Sequence, residues 1–211
     1  DHWATAKAIS HSHSDLLEHM IENGTPGNVL EVGTAGGGSA LALMALVPDE
    51  THYIVTVDPW GDRPYQTSGA RYGNNFQRGA LAVLGHWANE AHVNWWHYKM
   101  DSDDFFEYIV PHCGPWLNGR KENWFFDTVF LDGEHTVDIV QRELNALSGT
   151  IGRGTTIFVD NANHAQHDAS QSMQEMLTAW TETSWANGLG MSCSFTSFPD
   201  GDVLAEIRNR T

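Results

Sequence analysis

Val29-Leu30-Glu31-Val32-Gly33-Thr34-Ala35-Gly36-Gly37-Gly38-Ser39-Ala40 is the stretch that decides the fold. A short apolar strand, Asn28 to Gly33, runs into a glycine turn, and an apolar helix from Ser39 to Val47 follows. Such a turn between a first strand and its helix lets a nucleotide-like ligand approach the backbone closely. A dinucleotide fingerprint would read G-x-G-x-x-G, but counting from Gly33 puts Ala35 at its second glycine. Glu31, two residues before Gly33, also fits poorly beside a pyrophosphate. It suits a cofactor carrying cationic sulfonium and ammonium groups, which its charge attracts directly or through water.

Outward from this stretch, strand-like and helix-like segments alternate, the pattern of a parallel sheet with helices on both faces. Thr5 to Glu22 reads as one leading helix, expected either to cover a substrate pocket or to build a homo-oligomer contact. His52 to Asp58, His92 to Lys99, Phe126 to Leu131 and Thr155 to Asp160 read as strands two to five. Phe76, Ala80, Val83, Leu84 and Trp87 mark one face of a helix, and Val137, Val140, Leu144 and Leu147 mark another. Ser102 to Val110 reads as a short helix and Ala169 to Trp185 as a longer one. Met191 to Phe198 and Val203 to Arg208 pair as a hairpin through Pro199-Asp200-Gly201-Asp202. Residues 59–72 form a long polar loop, a candidate substrate lid with Trp60, Arg63 and Tyr65. Residues 111–123 are a second insertion, around which Trp116 and Trp124 could wall a pocket.

A chain of 211 residues holds one α/β domain, so residues 1–211 are expected to form a single unit. The 11 basic residues face 27 acidic ones, for a net charge of −16. Three lysines and eight scattered arginines make no basic footprint for phosphates, so neither nucleic acid nor an anionic membrane is an expected partner. The longest apolar run, Ala40 to Val47, is far short of the roughly 20 residues that span a bilayer. The N-terminus does not look like a signal peptide. Cys113 and Cys193 have no metal-like or redox spacing and read as reduced thiols, so a cytoplasmic location is expected.

A second constellation lies downstream, in Leu131-Asp132-Gly133-Glu134-His135 and Phe158-Val159-Asp160-Asn161. Asp132 and Asp160 each follow an apolar strand, at the edge where open α/β sheets place their sites. With the Asn161 amide oxygen they make an all-oxygen donor set suited to Mg²⁺. The plainer alternative is that such acids only cap the helices that follow.

Taken together, these motifs resemble the class I S-adenosylmethionine-dependent methyltransferases, with EVGTAGGGSA similar to their first motif. The resemblance implies a Rossmann-like, mostly parallel seven-stranded sheet closed by a C-terminal antiparallel hairpin. It implies a cofactor held by Glu31, Gly33, Gly36, Gly38, Ser39, Asp58, Ser102, Asp103 and Asp132. Asp58, ending the second strand, would accept hydrogen bonds from the two ribose hydroxyls. Ser102 and Asp103 would meet the adenine. The set Asp132, Asp160 and Asn161 matches the metal ligands of catechol-type O-methyltransferases. Asp132-Gly133-Glu134-His135 resembles the D-G-x-H motif of macrocin and mycinamicin sugar O-methyltransferases. His135 stands where the catechol-type enzymes place a catalytic lysine, and an imidazole suits a general base.

The expected reaction is Mg²⁺-dependent transfer of the S-adenosylmethionine methyl group to a small-molecule hydroxyl, on a catechol-like phenol or a sugar diol. A relative of the cephalosporin hydroxylases with different chemistry is the first alternative, and an NAD-dependent oxidoreductase the second. His164 and His167 read as exposed loop residues with substrate contact as the alternative, and His11 and His13 are not expected ligands.

Overall fold

The computed structural model describes residues 2–10, 14–61, 73–163 and 172–209. Two helices, α1 (His2–Ser10) and α2 (Ser14–Asn23), precede the strand β1 (Val29–Val32). Then come α3 (Gly38–Leu43), β2 (Tyr53–Val57), α4 (Asn74–Glu90), β3 (Asn94–Tyr98) and α5 (Ser102–Asp104). A two-stranded ribbon, β4 (Trp116–Leu117) with β5 (Arg120–Lys121), sits in the second insertion. The chain continues through β6 (Thr128–Leu131), α6 (Val137–Ala146), β7 (Thr156–Val159), α7 (Met173–Thr181) and α8 (Ser184–Gly188). It closes on the hairpin β8 (Met191–Ser197) and β9 (Val203–Asn209).

The seven-stranded sheet has the order β3-β2-β1-β6-β7-β9-β8, with β9 alone running antiparallel to the other strands, between β7 and β8. This is the expected Rossmann-like sheet with its C-terminal hairpin. Strands β1, β2, β6 and β7 are buried at every position, which is why they read as continuous apolar runs. Alternate residues feed two cores. Leu30, Val55, Val129 and Ile157 pack towards α6 and α7, while Val29, Ile54, Phe130 and Phe158 pack towards α1 to α4. Helices therefore cover both faces, as expected.

The leading segment is helical over His2–Ser10 and Ser14–Asn23, and residues 11–13 lie outside the described residues. Three local readings are refined. The helix after the glycine turn ends at Leu43 and tightens into a 3-10 turn over Met44–Leu46. The Ser102 to Val110 segment makes one α turn and then a π turn over Phe105–Ile109. The last long helix breaks in two where Thr183 caps α8 by accepting from the Ala186 N–H. Residues 62–72, the larger part of the expected lid, lie outside the described residues together with Arg63 and Tyr65. So do His11, His13, His164 and His167. Among the described residues no helix is long and apolar enough to cross a membrane.

Candidate active site at the carboxyl edge of the sheet

The strand order reverses at β1, where β2 lies to one side and β6 to the other. Ligands of open α/β sheets bind at such a switch point, beyond the carboxyl ends of the strands. Here the ends are level. The residue following each strand donates its N–H to the last residue of a neighbouring strand: Asp58 to Tyr98 (3.1 Å), Gly33 to Val57 (2.9 Å), Asp132 to Val32 (2.8 Å) and Asp160 to Leu131 (3.0 Å). One row of backbone bonds thus sets three acids and a glycine side by side.

A cavity of about 390 Å³ opens above this row. Thr34, Ala35, Gly36, Gly38 and Ser39 of the glycine turn line one side, and Asp132, His135, Asp160 and Asn161 line another. Ile9, Leu16 and Leu17 of the first two helices, with Phe76 and Phe130, add an apolar wall. The leading helices therefore cover the pocket. Asp202, from the hairpin turn, also reaches the cavity. Of the two expectations for the leading helix, the pocket cover is the one seen, although its individual residues, Phe76, Phe130 and Asp202 were not singled out as pocket residues in the sequence, where they carried only a core or turn signal.

The metal reading fits the residues present. Ligand atoms of Asp132, His135 and Asp160 all lie within 4.8 Å of one another. His135 Nε2 stands 3.8 Å from Asp132 Oδ1, with 17% of the histidine and 28% of the aspartate side chain exposed. Asp160 is 6% exposed and its buried Oδ1 has no hydrogen-bond partner. The Asn161 amide nitrogen donates to Asp160 Oδ2, which leaves the amide oxygen as the atom it can offer a cation. Crowding pushes the Asp132 carboxyl well above the usual range: burial first, then the Asp160 carboxylate, with smaller effects from Glu31 and Asp58. Two carboxylates this close repel each other until a proton or a cation stands between them.

Glu31 is fully buried beneath the glycine turn, and burial raises its pKa to about 8. The nearby Ser39 and Thr34 hydroxyls lower it in part, although neither oxygen of Glu31 receives a hydrogen bond of normal geometry. Asp58 is also fully buried; it accepts the Ala35 N–H and the Trp60 N–H, each at 2.8 Å. Glu31, Gly33 and Asp58 are thus the floor of the site and not its lining.

Other expectations shift. Asp103 pairs with Arg142 at 2.9 Å, and Ser102 lies beside the buried Glu143; neither is among the residues lining the cavity. Trp60 is no surface lid residue but a buried one, 1% exposed. Trp124 is core, stacked on Phe126, and Trp116 is 68% exposed on the ribbon, so neither walls the cavity. Aromatic side chains hold core and pocket positions equally well, and sequence spacing did not separate the two.

Residues 30–162 match the sequence family described as a methyltransferase domain. The chain belongs to the methyltransferase-domain family. The family is that of a methyltransferase domain, and the fold is Rossmann-like. No curated protein matches the sequence. The fold is similar to that of TomG, an O-methyltransferase of Streptomyces achromogenes involved in tomaymycin synthesis and solved with SAM. Identity is 20% and the TM-score 0.59, over 100% of this chain and 90% of that one. It is similar also to the SAH-bound methyltransferase PaMTH1 of Podospora anserina, at 14% identity and a TM-score of 0.57, covering 100% and 86%. Aeropyrum pernix fibrillarin with natively bound S-adenosyl-L-methionine shares the fold at 12% identity and a TM-score of 0.52, covering 87% and 67%. At these identities the likeness is one of fold.

Proposed function

We propose that this methyltransferase moves the methyl group of S-adenosylmethionine to a hydroxyl of a small molecule, a catechol-like phenol or a sugar diol, with the help of a divalent cation. One observation carries the reading: the Asp132, His135 and Asp160 cluster opens into the same cavity as the glycine turn. S-adenosylmethionine supplies a methyl group already activated on sulfur, and Mg²⁺ held by Asp132, Asp160 and Asn161 would lower the pKa of the acceptor hydroxyl.

The chain's own residues do the rest. Thr34 to Ser39 hold the methionine end, and Asp58 the ribose. Glu31 places a carboxyl under the turn, where a cationic ligand shifts it to its ionised form. The apolar wall of Ile9, Leu16, Leu17 and Phe76 excludes water and holds the acceptor so that its oxygen meets the methyl carbon in line. His135 takes the hydroxyl proton at Nε2, the atom facing Asp132. The O–C bond forms as the C–S bond breaks, and S-adenosylhomocysteine leaves. A net charge of −16 argues for a small-molecule acceptor over a nucleic acid.

A second role for His135 is favoured by its place in the three-residue cluster, where its nitrogen could serve as a ligand. The two roles separate cleanly. As a base, His135→Ala flattens the acidic limb of the pH–rate profile and spares metal affinity; as a ligand, it weakens metal binding.

The test of the main reading is calorimetric titration of S-adenosylmethionine and S-adenosylhomocysteine, with Mg²⁺ and again with EDTA, followed by a screen of catechols and sugar diols. Micromolar binding of both and Mg²⁺-dependent methyl ether formation are expected. A folded protein that binds neither overturns it.

A further inference from the structure

We propose that Trp60 is a positioning residue for the cofactor, its indole locking the glycine turn onto Asp58. The proposal rests on the S-adenosylmethionine reading above and assigns Trp60 a part that loop composition did not suggest. Three hydrogen bonds close a triangle. Ala35 donates its N–H to Asp58 Oδ2 at 2.8 Å, Trp60 donates its own to Asp58 Oδ1 at 2.8 Å, and the Trp60 indole N–H donates to the Ala35 carbonyl at 2.9 Å. The two peptide units flanking Ala35 are thereby both fixed, one by the acid and one by the indole.

The backbone supports this. Ala35 and Trp60 have φ of 41° and 29°, in the left-handed region that side chains other than glycine seldom adopt. Such conformations persist where the surroundings over-determine them, and the triangle does so. The indole is held in turn. It is 1% exposed and packs on the His97 ring at 4.3 Å, while His97 Nδ1 pairs with Thr56 Oγ1 at 2.8 Å and Trp95 donates to the same hydroxyl at 3.0 Å. A buried indole N–H has no use except as a donor, and here its acceptor is the turn itself. With its N–H held by Asp58 and its carbonyl by the indole, Ala35, which lines the cavity, presents the turn to the cofactor in one conformation, which lowers the ordering cost of binding.

The experiment uses the whole chain and four proteins: wild type, Trp60→Phe, Asp58→Asn and the double variant. Phenylalanine keeps a six-membered aromatic ring for the His97 contact and loses the indole donor together with its pyrrole ring. S-adenosylhomocysteine is titrated calorimetrically into each, and Mg²⁺ separately. Trp60→Phe is expected to weaken S-adenosylhomocysteine about five-fold, the size of one neutral hydrogen bond. Mg²⁺ affinity stays within two-fold, and the penalty shrinks in the Asp58→Asn background because the indole and the carboxylate hold the same residue, Ala35, from its two sides. An unchanged affinity in Trp60→Phe, or the same penalty in both backgrounds, overturns the proposal alone. Wild-type protein that binds no S-adenosylhomocysteine overturns the cofactor reading, and this proposal with it.

Discussion

Gly33 and Asp132 stand back to back at the carboxyl edge: a Cβ on Gly33 would lie 2.1 Å from the Asp132 carbonyl oxygen. The glycine turn and the first acid of the Asp132, His135 and Asp160 cluster therefore share one backbone contact. Gly33 also has a φ of 96°. Gly33→Ala meets both a backbone clash and a disfavoured dihedral, so a loss of about 3–5 kcal/mol in stability is expected. Chemical denaturation measures the loss, and calorimetry should show S-adenosylhomocysteine and Mg²⁺ binding lost together. A variant as stable as wild type would contradict the contact.

Asp132 and Asp160 repel each other in the metal-free protein. Asp132→Asn relieves that repulsion, so its melting temperature without metal should rise by a few degrees. Wild type gains about 2.7 kcal/mol from a cation at a hundred-fold excess over its dissociation constant, and the variant should lose that gain. Thermal melts with EDTA and with Mg²⁺ decide the matter; a metal-free variant less stable than wild type counts against the crowded pair.

Glu31 has a folded pKa raised from 4.5 to about 8, so the native protein keeps a proton between those values that the unfolded chain has lost. Its contribution to ligand-free stability therefore falls as pH rises across that window. A cationic cofactor above it should expel this proton. Binding of S-adenosylmethionine at pH 7 is expected to release close to one proton, read from titrations in buffers of unlike ionisation enthalpy. Glu31→Gln should abolish the release. Release that persists in the variant would move the proton to another group.

Glu143 is a second buried acid, outside the cavity; burial first, then the neighbouring Asp103, raises its pKa to about 7, with Ser102 lowering it in part. Neither oxygen has a hydrogen-bond partner. The sign is the same as for Glu31: the native state holds the proton longer, so ionisation above pH 7 costs stability. Glu143→Gln should be more stable than wild type by about 2 kcal/mol at pH 8, with the gain shrinking towards pH 5. Denaturation midpoints at the two pH values provide the check.

The strands were legible because β1, β2, β6 and β7 are buried on both faces, and total burial leaves an unmistakable apolar run. The acids Asp58, Asp132 and Asp160 were legible for a related reason, since a charged residue ending such a run must lie at the sheet edge. The break between α7 and α8 was not. The last long helix divides at Thr183, whose hydroxyl accepts from the Ala186 N–H and caps the next helix, a local bond that competes with continued helix. The aromatic residues were the hardest to place. Trp60, Trp116 and Trp124 look alike in sequence, yet one is buried with its indole on the Ala35 carbonyl, one faces solvent and one fills the core.

By itself, the sequence determined the order of strands and helices, the glycine turn and the acids at the strand ends, because these depend on local periodicity and on backbone freedom at single residues. Tertiary structure alone decided which groups meet. Asp132, His135 and Asp160 come together because neighbouring strands end level, and Ile9, Leu16 and Leu17 reach the cavity because the first two helices fold over it. Asp103 was drawn to Arg142, from a helix 39 positions on. Such encounters depend on sheet register and side-chain packing between distant segments, and no local pattern encodes either.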